Sequence, residues 1–254
     1  VVGGGLGAQT FLAQKAFDFI EEDQIIPFME AALRVFDRYG ERLRRHKARM
    51  KYLIKDLGME KWMELVEEER TATKHKSFKI DLNLIPEAQP APEKLVPDVI
   101  IEDKKRYQDW LNTNTFEQKQ KGFYGVYLKV TNGDIKPDTA RTIAQLANDY
   151  ASQDMRVTMN QGLLLKFIRP AALPYVYSVL DSLGLANPGF GTIADITTCP
   201  GTDTCNLGVT NSMTLARILE DVIQKEYPEL IYDKYLNIRM SGCMNACGQH
   251  MAAN

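Results

Sequence analysis

Four cysteines confined to the last third of the chain constrain this sequence more than any other feature. Cys199 and Cys205 lie in T-C-P-G-T-D-T-C-N, and Cys243 and Cys247 lie in S-G-C-M-N-A-C-G. Five residues separate the first two, three separate the last two, and 37 lie between the pairs. No other cysteine occurs among the 254 residues. Four thiolates with no spare suit a four-iron cubane, in which each iron takes one protein ligand. The pattern therefore predicts that the four sulfurs converge in space. Other uses stay open at this point. Structural zinc prefers pairs with two to four intervening residues, and C-x5-C is long for such a knuckle. Disulfides favour oxidising compartments and small secreted domains, whereas this chain is long, cysteine-poor and free of an apolar secretory segment. Four unrelated buried thiols remain the plainest alternative.

Hydrophobic residues make up 44% and charged residues 25% of the chain, as in ordinary soluble proteins. The length suffices for two modest domains with their own cores. A net charge of −2 offers no broad basic field for nucleic acid. No apolar run approaches the roughly 20 residues that span a bilayer. Thiolates that must hold iron point to a reducing, cytoplasmic location. The chain opens on Val1 and closes on M-A-A-N, and both ends read as cut from a longer polypeptide.

Residues 8 to 70 carry helical spacing. It runs through Phe11, Leu12, Ala16 and Phe19, then Ile25, Ile26, Met29, Leu33 and Phe36, then Leu53, Ile54, Leu57, Met63 and Leu65. Gly40 and Gly58 are expected helix stops. Arg42 to Lys51 is a dense basic stretch. Residues 76–120 hold Pro86, Pro90, Pro92 and Pro97 and read as a linker or covering loop. From Gly122 the pattern changes. G-F-Y-G-V-Y-L-K-V predicts a strand, Asn132-Gly133-Asp134 a turn, and Thr139 to Ala151 a helix with Ile143, Leu146 and Ala147 inward. Met155 to Asn160 and Leu163 to Ile168 read as strands, and Ala172 to Leu183 as a helix closed by Gly184. The order β-α-β-β-α begins a ferredoxin-like split βαβ unit. A helix from about Asn211 to Glu226 and a strand from Tyr235 to Met240 follow. The second cysteine pair falls on the loop leaving that strand.

With these motifs laid out, the chain resembles the sirohaem-dependent nitrite/sulfite reductase family. T-C-P-G-T-D-T-C followed by S-G-C-M-N-A-C-G is similar to that family's C-x5-C…C-x3-C signature. V-G-G-G-L-G and R-Y-G-E-R-L-R-R-H-K-A-R-M-K-Y resemble the end of its first sirohaem-contacting domain. G-F-Y-G-V and R-V-T-M-N-Q resemble its second ferredoxin-like repeat. The fold implied is α+β: a helical segment over 1–75, a Pro-rich linker over 76–120, a ferredoxin-like half-domain over 121–185 and an α/β iron–sulfur/sirohaem domain over 186–254.

The resemblance implies a 4Fe–4S cluster on Cys199, Cys205, Cys243 and Cys247, with Cys247 also ligating the sirohaem iron. It implies six-electron reduction of nitrite to ammonia or of sulfite to sulfide. The donor would be a ferredoxin or a flavoprotein, and the substrate a small anion. Sirohaem carries many carboxylates, and Lys47, Arg49 and Lys51 match the family's basic positions. A solvated helix face is the ordinary use of such a run. Asn160 and Gln161 would hydrogen-bond the macrocycle, or else form a plain polar turn. Gly4 and Gly5 suit close backbone approach to a flat cofactor. They also mimic a dinucleotide fingerprint, but helical spacing from Ile25 to Tyr39 replaces the strand that a βαβ unit needs. His250 reads as a surface residue, and Trp62 and Trp110 as packing.

The family's catalytic arginines and lysines lie mainly in the first half of the full protein, so the catalytic residues of this chain stay unknown. A non-catalytic 4Fe–4S electron-transfer module is the alternative function, and a zinc-stabilised binding domain a third. The chain by itself is expected to be catalytically silent. Purified alone and given a chemical electron donor, it should reduce neither nitrite nor sulfite.

Overall fold

Glycine decides how the chain begins. Phe11, Leu12, Ala16 and Phe19 have helical spacing, yet the computed structural model, which describes residues 1–84 and 87–253, has no helix before Glu22. Val2 bridges Gln14 and Gly5 bridges Phe11 in antiparallel fashion, making a loose hairpin. Leu12 and Phe19 stay 91% and 77% exposed, so the spacing there marks no buried face. Gly3 has φ +76°, and a Cβ on it would sit 2.8 Å from Ile54 Cδ1, so the strand lies flat on its neighbour only because that side chain is missing.

The chain divides into two units, Val1–Pro86 and Glu87–Asn254. In the first, the hairpin precedes α1 (Glu22–Tyr39), α2 (Met50–Leu57) and α3 (Met59–Ala72). Gly40 ends α1, and Gly58, at φ +79°, ends α2 and starts α3. The inward face of α1 is not the expected one. Phe28, Ala31, Ala32 and Val35 are buried with Leu53, Ile54, Trp62 and Val66. Ile25, Ile26, Met29 and Leu33 are 39–58% exposed. Both stripes are apolar at helical spacing, so periodicity alone could not choose between them.

The second unit starts earlier than its strand pattern suggests. Within the expected linker, Asp103 caps α4 (Lys104–Asn114) by accepting the Arg106 N–H at 2.8 Å. Trp110 from this helix is wholly buried, 5.2 Å from the Tyr177 ring. β1 (Thr115–Glu117) then joins β2 (Tyr124–Leu128), α5 (Pro137–Tyr150), β3 (Met155–Val157), β4 (Leu163–Ile168) and α6 (Leu173–Ser182). The sheet order is β1-β2-β4-β3, with every neighbouring pair antiparallel. β2 and β3 therefore run parallel on either side of β4, the split βαβ arrangement. Ile143, Leu146 and Ala147 of α5 pack inward as expected, with Val126, Leu128, Leu165, Val176 and Leu180.

Beyond α6 come β5 (Thr197–Thr198), α7 (Ser212–Glu226) and β6 (Arg239–Met240). Asn211 caps α7 through Thr214 N–H. The strand expected over Tyr235 to Met240 shrinks to its last two residues. The Asp233 carboxylate takes the Tyr235 and Leu236 N–H groups at 2.8 and 3.3 Å, holding a turn where a ladder would have started. No helix among the described residues is long and apolar enough to cross a membrane.

Among the described residues the buried indole N–H of Trp110 finds no hydrogen-bond partner, so the residue contributes by packing and ring contact alone. Trp110→Ala should cost about 3–5 kcal/mol, and Trp110→Phe, which removes the orphan donor, only about 1 kcal/mol. Urea denaturation of the two variants checks the difference.

Candidate metal centre

β5 and β6 are parallel, pairing Thr197 with Arg239 and Thr198 with Met240. Each cysteine loop leaves the C-terminal end of one of these strands, so a two-rung ladder brings together residues more than 40 positions apart. The loops then interlock. Val209 N–H donates to Gly242 O at 2.7 Å, and Cys199 N–H to Met240 O at 3.2 Å. A Cβ on Gly248 would stand 1.7 Å from Met240 O, and one on Gly242 would stand 2.6 Å from Gly201 Cα. Any larger residue at either place would separate the loops.

Cys199 is buried, Cys243 half-buried, and Cys205 and Cys247 exposed; all four are free thiols. Gly242 N–H donates to Cys199 Sγ at 3.0 Å, and the Ser212 hydroxyl lies 3.6 Å from the same sulfur. Burial pushes the Cys199 thiol up, but these bonds, with that from the Gly201 N–H, outweigh it and leave the group below its ordinary value. Ala246 and Gln249, on either side of Cys247, hold left-handed backbone that side chains rarely adopt. Among the described residues no three His, Cys, Asp or Glu side chains stand together as a ligand set for a metal ion. The loops meet through main chain. The donor set, four thiols on two glycine-locked loops with a main-chain N–H already on one sulfur, fits an iron–sulfur cluster.

Residues 194–199, which lead into the first cysteine, are held by side chains from several elements. Lys129, just past β2, donates to Ala194 O and pairs with Glu220 of α7 at 3.1 Å. Glu220 accepts the Ile196 N–H at 2.9 Å. Asp195 accepts from Gly191 N–H at 2.8 Å and from Asn160 Nδ2 at 3.3 Å. Gln161 bonds both main-chain groups of Thr198, and the Ser212 hydroxyl donates to Cys199 O at 2.8 Å. Asn160 and Gln161 therefore spend their amides on protein groups. Lys129, Glu220 and Asp195 escaped the sequence reading. Two of them had a readable signal: Lys129 interrupts an apolar strand run between Leu128 and Val130, and Glu220 falls on the buried stripe Ala216, Glu220, Ile223 of α7.

In the first unit, Lys51 is 3% exposed. Its Nζ donates to Leu6 O at 2.9 Å and Gln9 O at 2.5 Å, with Gly5 O at 3.4 Å, and lies 5.1 Å from the Tyr52 ring centroid. Burial, then the nearby Arg49 charge, lowers its pKa. Arg49 Nη1 donates to Leu6 O at 2.7 Å. Both cations thus clasp the glycine-rich hairpin, and a Cβ on Gly5 would meet Arg49 Nη2 at 2.6 Å. Gly4 faces Ala13 across the hairpin. Lys47 is half-buried, and among the described residues its ammonium enters no ion pair or hydrogen bond.

Residues 1–74 match a family model described as the nitrite and sulphite reductase 4Fe–4S domain, and residues 116–183 match the nitrite/sulfite reductase ferredoxin-like half domain. Neither segment contains a cysteine, so these matches are independent of the motif that opened the case. A sulfite reductase (ferredoxin) 1 of Mycolicibacterium paratuberculosis is 25% identical over the whole chain, which covers 42% of that protein. A chloroplastic ferredoxin–nitrite reductase of Oryza sativa subsp. japonica is 24% identical over the whole chain, covering 39% of it. The solved structure of the Mycobacterium tuberculosis NirA protein aligns over 98% of this chain and 42% of its own, at a TM-score of 0.66 and 25% identity. The chain spans about two fifths of the relatives it matches.

Asp195 gives the region a pH signature. Burial raises its carboxyl from 3.8 to about 6, against the opposing Gly191 N–H. A raised acid favours the folded state below its unfolded value and loses that advantage as pH rises through the folded one. Between pH 4 and pH 8 the protein should therefore lose up to about 3 kcal/mol that Asp195→Asn does not lose. Denaturation of both at the two pH values measures the difference in slope; parallel curves would refute it.

Proposed function

This chain belongs to the nitrite/sulfite reductase family, and we propose that the protein it comes from reduces nitrite to ammonia or sulfite to sulfide. The observation that carries the reading is the interlock of the two cysteine loops through Gly242 and Cys199. Cys199, Cys205, Cys243 and Cys247 would hold a 4Fe–4S cluster, and Cys247 would serve the sirohaem as well. Bound there, the cluster and sirohaem would supply the single electrons that a six-electron reduction needs.

The residues of this chain have separable roles. The Gly242 N–H stabilises negative charge on one ligand sulfur and so tunes potential. Arg49 and Lys51 hold the hairpin that carries Gly4 and Gly5. Lys47, uncommitted within its unit, would offer its charge to a carboxylate-bearing cofactor. The electron donor is a ferredoxin or a flavoprotein, and the location is the cytoplasm, where thiolates persist.

Anaerobic purification of the intact protein tests this. Iron and acid-labile sulfide should appear in a ratio of about five to four per tetrapyrrole, the extra iron being that of the sirohaem, and a visible sirohaem band should respond to nitrite or sulfite. Cys199→Ser should lose most of the iron. Iron and sulfide without tetrapyrrole would identify an electron-transfer module instead, and zinc in place of iron a structural site.

A further inference from the structure

We propose that Gln161 is the positioning residue of the cluster site: its side-chain amide takes the place of a strand beside β5 and so fixes Cys199. The inference rests on the reading of this chain as a cluster-bearing one.

In a parallel ladder, alternate residues bond to opposite sides. Thr197 N–H donates to Ile238 O and Cys199 N–H to Met240 O, both on the β6 side. Thr198 must then turn its N–H and C=O to the other edge. Thr198 is 1% exposed, so no water reaches those groups, and left unpaired each would carry a desolvation cost. Among the described residues no strand lies on that edge. Gln161 Oε1 accepts the Thr198 N–H at 2.9 Å, and Gln161 Nε2 donates to Thr198 O at 2.7 Å. A primary amide offers a donor and an acceptor side by side, as a neighbouring strand would. Both ends are used on a single residue, the one before Cys199.

Gln161 is itself held. It sits at φ +61° in the turn between β3 and β4, which Thr158 closes from both directions: its N–H donates to Gly162 O and its hydroxyl accepts the Gly162 N–H, each at 3.0 Å. A rigid turn of the ferredoxin-like sheet thereby sets where the first ligand sulfur stands under the Gly242 N–H. Glutamate at this position keeps the acceptor and loses the donor. Leucine fills the space and offers neither.

The test uses the intact protein with Gln161→Leu and Gln161→Glu. In iron-free protein, alkylation of Cys199 by iodoacetamide, followed by mass spectrometry, should rise about tenfold in Q161L relative to the unsubstituted protein, with Cys205 unchanged and Q161E between. In holoprotein, loss of iron to a chelator should accelerate in the same order, and the cluster's midpoint potential should move. Far-UV circular dichroism confirms the fold, and Q161E, which keeps one of the two bonds, carries the comparison if Q161L does not fold. An unchanged Cys199 rate in a folded variant overturns the role of Gln161 alone. Absence of iron and sulfide from the unsubstituted protein overturns the proposed function itself.

Discussion

A two-residue strand cannot hold itself. Strands of two or three residues gain too few ladder bonds to offset the backbone entropy of ordering them, and β5 is only Thr197 and Thr198. Everything around the cysteine loops depends on how the main chain of residues 194–199 is nevertheless satisfied. Lys129, Gln161, Ser212 and Glu220 each reach one or two main-chain groups of that segment, and Asn160 reaches the Asp195 carboxylate. Side chains fixed on a well-packed sheet and helix do what a wider sheet would do elsewhere. They also hold the buried Cys199, whereas Cys243 is half-buried and Cys205 and Cys247 are exposed.

The ion pair inside this scaffold is better read as a specifier than as a source of stability. Lys129 and Glu220 are 1% and 8% exposed at the side chain, and burying two such charges costs several kcal/mol each before their attraction is counted. An apolar pair of equal volume would fill the space at less cost. It would not, however, take Ala194 O and Ile196 N–H, and those bonds set the path of the chain toward Cys199. The tie between β2 and α7 thus fixes the path at a stability cost that the apolar packing of the unit offsets.

Much of the fold was legible because local rules and tertiary context agree. Pro137, the apolar stripe of Ile143, Leu146 and Ala147, and the turn at Gln161-Gly162 each say what the structure does. The failures have causes. The opening hairpin carries helical spacing by accident, and its glycines were the stronger signal. α1 has two apolar stripes, and only packing against Trp62 selects one. β5 has no period at two residues. At the candidate centre, the cysteines and their glycines could be read from spacing. The roles of Asn160, Gln161 and Lys51 could not, because spacing gives residue type and place but not what a side chain bonds.

The hairpin clasp constrains what Lys51 can become. Its ammonium meets three carbonyl oxygens of one turn, and a tetrahedral head with three diverging protons can address all of them. A guanidinium is flat, with its donors spread in one plane and suited to a fork. Arginine, ordinarily the mildest exchange for lysine, would keep the positive sign yet face a cup shaped for a point. At this position the turn demands a shape as well as a charge, and the same sign in another shape would loosen the turn it was meant to close.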